Sequence, residues 1–161
     1  ISKRFGKRLT VEKEIDQKLL PVKVPQLVLQ PMIENAVVHG IEQIKQGMIK
    51  IKIYSNAENL YLQVINSGKP LTKDVKEKIE TLLNQKPEEV AEGRGHHVSL
   101  AIRNINERVK LIYGEQYGLR IEQKGEYIVS TITIPMGEEK SHMERDSREN
   151  VRKRLEETGR F

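Results

Sequence analysis

Leu29-Gln30-Pro31-Met32-Ile33-Glu34-Asn35-Ala36-Val37-Val38-His39-Gly40 is where the chain leaves an alternating, strand-like pattern for a helical one. Leu29, Met32, Ile33, Ala36 and Val37 recur at steps of three and four, which predicts a helix over Leu27–His39 with Gly40 as its C-terminal cap. Asn35 and His39 are four apart and share another face of that helix, so a polar pair stands beside an apolar stripe. Two readings of the pair stand at this level. A neutral amide oxygen is a ligand for a hard cation such as magnesium, which prefers oxygen donors alongside substrate phosphates. Glu34, Asn35 and His39 also suit the solvated side of an amphipathic helix.

On the N-terminal side, Leu9, Val11 and Ile15 alternate with polar residues and predict a strand over Arg8–Ile15, followed by an extended stretch punctuated by Pro21 and Pro25. On the C-terminal side, Ile49, Ile51 and Ile53 alternate, the polar turn Ser55–Asn59 follows, and Leu60, Leu62 and Val64 alternate again, which is a hairpin. A helix is predicted over Leu71–Leu83 and a mobile loop over Asn84–Gly95. Val98, Ala101, Ile102, Ile105, Val109 and Ile112 then form the cleanest helical stripe in the chain, ending near Tyr113-Gly114. Strands Leu119–Gln123 and Tyr127–Ile134 make a second hairpin across Lys124-Gly125-Glu126, with Ile128, Ile132 and Ile134 on one face. This order predicts an α+β two-layer sandwich, a mixed and mostly antiparallel sheet covered on one face by helices.

The chain has 161 residues, enough for one domain with its own core and no metal or disulfide staple. A 37% hydrophobic share against 32% charged residues describes a soluble domain with a heavily charged surface. No run approaches the roughly 20 apolar residues of a spanning helix, and the first residues lack a signal-peptide core, so the sequence predicts a fragment with no direct membrane insertion. The absence of cysteine fits a reducing cytoplasm. A net charge of +5 invites a nucleic-acid partner, but acidic residues interrupt the basic ones nearly everywhere, and the expectation is no nucleic acid. Adjacent His96 and His97 diverge and lack a second ligand pair, so no metal site is assigned to them. After Pro135 the chain turns polar. Residues 138–161 read as a charged tail, helical or disordered, in which Ser141-His142-Met143 resembles a cloning remnant.

The string Leu29 to Gly40 resembles the N-box of the LytS/YesM-type sensor histidine kinases, members of the GHKL superfamily of ATP-binding proteins. Arg4-Phe5-Gly6-Lys7-Arg8-Leu9 resembles that family's lead into its catalytic domain. Asn104-Ile105-Asn106-Glu107-Arg108-Val109-Lys110-Leu111-Ile112-Tyr113-Gly114 resembles the helix after its second glycine box, and Thr131-Ile132-Thr133-Ile134-Pro135 its closing strand. The motifs fall in the family's order from about Arg4 to Met136. The resemblance implies the Bergerat fold over 21–137, a lead-in segment over 1–20, and a kinase that uses ATP and Mg2+ to phosphorylate a histidine on an upstream dimerisation segment. It also implies a response regulator as partner and a homodimeric, membrane-bound parent whose catalytic domain is cytoplasmic.

Carried over residue by residue, the resemblance makes Asn35 the magnesium ligand, puts His39 near the phosphates, and counts Glu34 with them as a catalytic candidate. Where hydrolytic relatives carry a water-activating glutamate, four residues before Asn35, this chain has Pro31, which argues for phosphoryl transfer over hydrolysis. The first glycine box, usually Asp-x-Gly-x-Gly, is Asn66-Ser67-Gly68-Lys69-Pro70 here, so Asn66 keeps an acceptor for adenine but loses the charge. The same five residues also suit a plain turn leaving a strand. In place of the second box stand Ser99-Leu100-Ala101, small enough at Ser99 and Ala101 for some backbone approach to phosphate at a helix start. Asn104 and Arg108 could reach phosphates from the helix that follows, or belong to a solvated face with an Arg103–Glu107 pair. Lys86 to Val98, with Arg94, Gly95 and His96, would form the lid over ATP. The altered boxes leave a second function open, a nucleotide-sensing or protein-interaction module without kinase activity.

Overall fold

The computed structural model describes residues 6–22, 24, 28–84 and 97–136. Five strands form one sheet: β1 (Leu9–Ile15), β2 (Gly47–Ser55), β3 (Asn59–Ser67), β4 (Gly118–Lys124) and β5 (Tyr127–Pro135), in the order β1-β2-β3-β5-β4. Ile49, Ile51 and Ile53 of β2 lie opposite Asn66, Val64 and Leu62 of β3 across a tight hairpin, in which the Asn56 side-chain oxygen accepts from the amides of Glu58 and Asn59 at 3.0 and 2.6 Å. β3 is then free to pair on its other edge with β5, and β5 with β4, both antiparallel. β1 alone is parallel, running Leu9 opposite Gly47 to Ile15 opposite Ile53. The first twenty residues therefore contribute a strand to this sheet, and Leu9 and Leu19 to its core.

Three α-helices accompany the sheet: α1 (Leu29–His39), α2 (Lys73–Asn84) and α3 (His97–Tyr113). Residues opposite one another in register, Ile51 with Val64, Leu62 with Ile132, Leu60 with Ile134 and Leu119 with Ile132, share one face. Against that face lie Met32, Ala36 and Val37 of α1 and Ile102, Ile105 and Val109 of α3, all buried in one cluster. The opposite face carries Lys50, Lys52, Tyr54, Tyr61, Gln63 and Thr131. Glu14 pairs there with Lys50 and Lys52, both at 2.7 Å, and the rings of Tyr54 and Tyr61 stack at 4.9 Å. The apolar face requires a covering layer, and among the described residues α1 and α3 supply it, which makes two layers.

The α+β sandwich and its strand and helix order are those expected from periodicity. Local departures have local causes. The stretch before Pro21 contains a 3-10 turn, Gln17–Leu19, because the Asp16 carboxylate accepts from the Lys18 amide at 3.0 Å and starts it. α1 begins at Leu29 rather than Leu27; Pro31 sits within its first turn, where no amide hydrogen bond is lost. His97 and Val98, expected in the lid, form the first turn of α3. The rest of the lid, Arg94, Gly95 and His96 included, and the tail 138–161 lie outside the described residues.

Candidate functional site

Packing of its apolar stripe fixes the roll of α1. With Met32, Ala36 and Val37 turned into the core, Asn35 and His39 fall at the border of the buried face, each half-buried. The Asn35 side-chain oxygen is buried and has no hydrogen-bond partner. An unsatisfied buried acceptor costs about 1–3 kcal/mol, so such an oxygen persists where something it binds repays the cost. Glu34, the third candidate on this helix, is exposed and accepts from Gln30, one helical turn back, at 2.9 Å.

Gly40 is the C-terminal cap of α1, as the sequence suggested, with φ at −100° and its amide donating to the Ala36 carbonyl. Its smallness serves another end. A methyl group there would run into Asn66 Nδ2 and come within 2.6 and 2.7 Å of the carbonyl oxygens of Ala36 and Ser67. A methyl group on Gly68 would in turn lie 3.3 Å from the Gly40 Cα. The C-terminus of α1 thus rests directly on the end of β3, and the N-box and the first box become one surface.

Asn66 sits in the central strand β3, opposite Ile49 and Ile128, on the helix-facing side and only 3% exposed. Its Nδ2 donates to the Ser67 carbonyl at 2.9 Å, which fixes the amide and leaves the oxygen as the group that can accept elsewhere. Ser67 is held in turn, its hydroxyl accepting from the Met48 amide at 3.0 Å. The first box is therefore more than a turn leaving a strand.

Ser99 and Leu100 fall in the first turn of α3, where four backbone N–H groups have no intrahelical partner, and Ala101 is half-buried just beyond. α3 packs against α1. Asn104 and Arg108 are exposed on α3, and between them Arg103 and Glu107 pair at 3.1 Å on a partly buried side. The residue that sequence reasoning passed over is Asn106, 4% exposed within the buried stripe of α3. A single polar residue in the phase of Ile102 and Val109 was the signal available.

These residues suit a bound nucleoside triphosphate with its divalent cation. An orphaned amide oxygen for the cation, a buried acceptor in β3 and a helix start of unpaired donors are the groups such a ligand uses. Among the described residues no group of three or more His, Cys, Asp or Glu could hold a metal by itself.

No family model matches the chain. Over 76% of its length it is 33% identical to the sensor histidine kinase YpdA of Escherichia coli K12 and 28% identical to the sensor protein LytS of Oceanobacillus iheyensis. Over 82% of its length it is 32% identical to the sensor histidine kinase YesM of Bacillus subtilis 168. In each case the chain spans 20% of the relative's own length. Among solved structures, the catalytic domain of the histidine kinase ThkA matches with a TM-score of 0.57 at 22% identity, covering 83% of this chain and 81% of that one. ThkA in complex with the response regulator TrrA matches with a TM-score of 0.56 at 22% identity, over 86% of this chain and 37% of that one.

Proposed function

From the premise that this chain is homologous to a segment of the LytS/YesM-type sensor histidine kinases and has the fold of histidine kinase catalytic domains, we propose that it is the ATP-binding catalytic domain of such a kinase. In this role it binds ATP and presents the γ-phosphoryl group to a histidine on an upstream dimerisation segment. The bond from phosphorus to the ADP oxygen breaks as one to the imidazole nitrogen forms. Such a reaction asks the protein mainly for positioning and charge neutralisation. Asn35 holds Mg2+ through its side-chain oxygen; the ion, when bound, offsets charge on the phosphate oxygens. The Asn66 oxygen accepts from the adenine amino group, with Gly68 allowing close approach. The first-turn amides of α3 at Ser99 and Leu100, with His39, Asn104 and Arg108, face the phosphates. Ala101 keeps the backbone accessible.

The single observation carrying this reading is the buried, unpartnered Asn35 oxygen at the position where the resemblance expects a magnesium ligand. Calorimetry tests it. Replacing Asn35 by Ala is expected to weaken Mg-ATP binding at least about tenfold while leaving the thermal midpoint of the nucleotide-free chain unlowered, since an unsatisfied acceptor is removed. Unchanged affinity would remove Asn35 from the site.

The rest of the assignment follows the same premise. The ATP-binding domain comprises 21–137 together with β1, which pairs with β2 although it falls within the 1–20 expected to lead in, and 138–161 are assigned as a tail. The parent is a homodimer with this domain in the cytoplasm; among the described residues no helix is long and apolar enough to cross a membrane. A response regulator is the downstream partner, a reading supported by the ThkA complex. Ser99 and Ala101, in place of glycines, favour one competing function, a nucleotide-sensing or interaction module without transfer activity. Absence of heat with Mg-ATP and Mg-ADP at millimolar nucleotide favours the interaction module, and binding without transfer the nucleotide-sensing one.

A further inference from the structure

α2 is the weakest-seated element of the described fold. It has no buried residue, and Val75 is 39% exposed. Between it and the rest of the domain runs a groove of about 650 Å³, lined among others by Leu71, Ile79, Leu83, Leu119 and Ile121. The apolar seating of α2 is limited to half-buried side chains such as Ile79 and Leu83, the latter against the core, and directional bonds add to it. Two reach it from the body of the domain, one at each end. At the start, the Leu71 amide donates to Gln123 Oε1 of β4 at 3.0 Å, and Gln123 is steadied by its own Nε2 donating to the Gly125 carbonyl at 3.1 Å. At the finish, Asn106 Nδ2 of α3 donates to the Leu83 carbonyl at 2.9 Å, one of the last four carbonyls of α2 that have no partner within the helix.

The Asn106 amide is used on both sides. Its oxygen accepts from the Leu119 amide at 2.8 Å, which fixes the orientation of the group and locks β4 to α3. Gly118 makes room: with φ at 148° and no side chain it lies against that oxygen, where a methyl group would collide with it. A buried amide fully satisfied by two separate elements is a specific joint rather than a solvated polar residue.

In chain order α2 lies between the first box, which ends at Pro70 one residue before Leu71, and the α3 start at Ser99 to Ala101. We infer that Asn106 and Gln123 are positioning residues that clasp α2 at its two ends, and that seating α2 sets the spacing of the two boxes for nucleotide. The inference rests on the ATP-binding reading above. A helix held this way exchanges between seated and lifted states, and nucleotide binds the seated one, so its apparent affinity scales with the seated fraction.

Amide hydrogen exchange and calorimetry on the full 161-residue chain test this, with Asn106→Asp and Gln123→Ala as variants. Asn106→Asp keeps the acceptor for Leu119 but has no donor for the Leu83 carbonyl; Gln123→Ala removes the tie at the other end from a site that is not buried, and stands in if the first variant fails to fold. The expected result is about fivefold faster exchange confined to 73–84, a similar loss of Mg-ATP affinity, and recovery of α2 protection at saturating Mg-ATP. Unchanged exchange in α2 refutes the clasp. Faster exchange with unchanged Mg-ATP affinity refutes its role in positioning. No heat from the unsubstituted chain refutes the ATP-binding reading and the coupling with it, while the exchange data still report whether the clasp exists.

Discussion

At the scale of single residues, the site depends on three small groups whose neighbours give each one meaning. Asn35 carries an oxygen with no protein partner, Gly40 lacks a side chain because two carbonyl oxygens and an amide occupy the space, and Asn66 turns its NH2 group inward. Gly40→Ala is expected to destabilise the domain by about 2 kcal/mol in denaturant unfolding, because the colliding atoms belong to backbone and to a buried amide and cannot step aside. A change below about 0.5 kcal/mol would mean that α1 does not rest on β3 as described. Asn66→Asp restores the charged residue usual in the first box, yet it sets a carboxylate oxygen where Nδ2 now lies 2.9 Å from the Ser67 carbonyl. The expected outcome by calorimetry is weaker Mg-ATP binding, and tighter binding would show that the amide orientation is not what holds this residue.

Among the elements, β1 and α3 are anchored by opposite means. α3 is secured by burial of Ile102, Ile105 and Val109, whereas β1 buries Leu9 and otherwise faces solvent along most of its length. What joins its far end to β2 on the polar face is Glu14 between Lys50 and Lys52. Hydrogen bonds from the two ammonium groups hold the Glu14 carboxyl down at about 2, from an ordinary value near 4.5. A depressed acid contributes its stabilisation above the unfolded value, so this contribution is full above about pH 4.5 and is lost as pH falls toward 2. The side chain is solvent-exposed, and salt screens the pair. Carbon-detected titration of Glu14 should give a midpoint near 2 at low ionic strength that rises in Lys50→Met, and a midpoint insensitive to that substitution would refute the pairing.

On the scale of the whole molecule, the proposed function gives the domain the nucleotide site and an upstream segment of the parent the phosphate acceptor. His39 lies at the site itself, yet the reading assigns it to phosphate contact. Incubation of the chain with radiolabelled ATP is expected to leave no acid-labile, base-stable phosphate on His39 or any other histidine, and stoichiometric labelling would overturn the division of labour. Much of this was legible in the linear chain. Alternation over Ile49–Ile53 and Leu60–Val64, the three-and-four stripe of Leu29–Val37, and the order of the boxes all follow from neighbours a few residues apart, whose geometry is set by the pitch of a helix or the pleat of a strand. Periodicity determined the two layers, whereas Asn66 and the start of α3 were candidates through the family resemblance, and Asn35 through both its helix face and that resemblance. These signals could not show that β1 runs parallel to β2, since alternation is the same in either direction, or that Gly40 is small because Asn66 and the Ser67 carbonyl lie beside it. Nor could they separate Asn106, clasped between α2 and β4, from an exposed neighbour such as Asn104. Each of these depends on groups far apart in the chain meeting at hydrogen-bond or van der Waals distance, and only the assembled sheet and its helices bring them there.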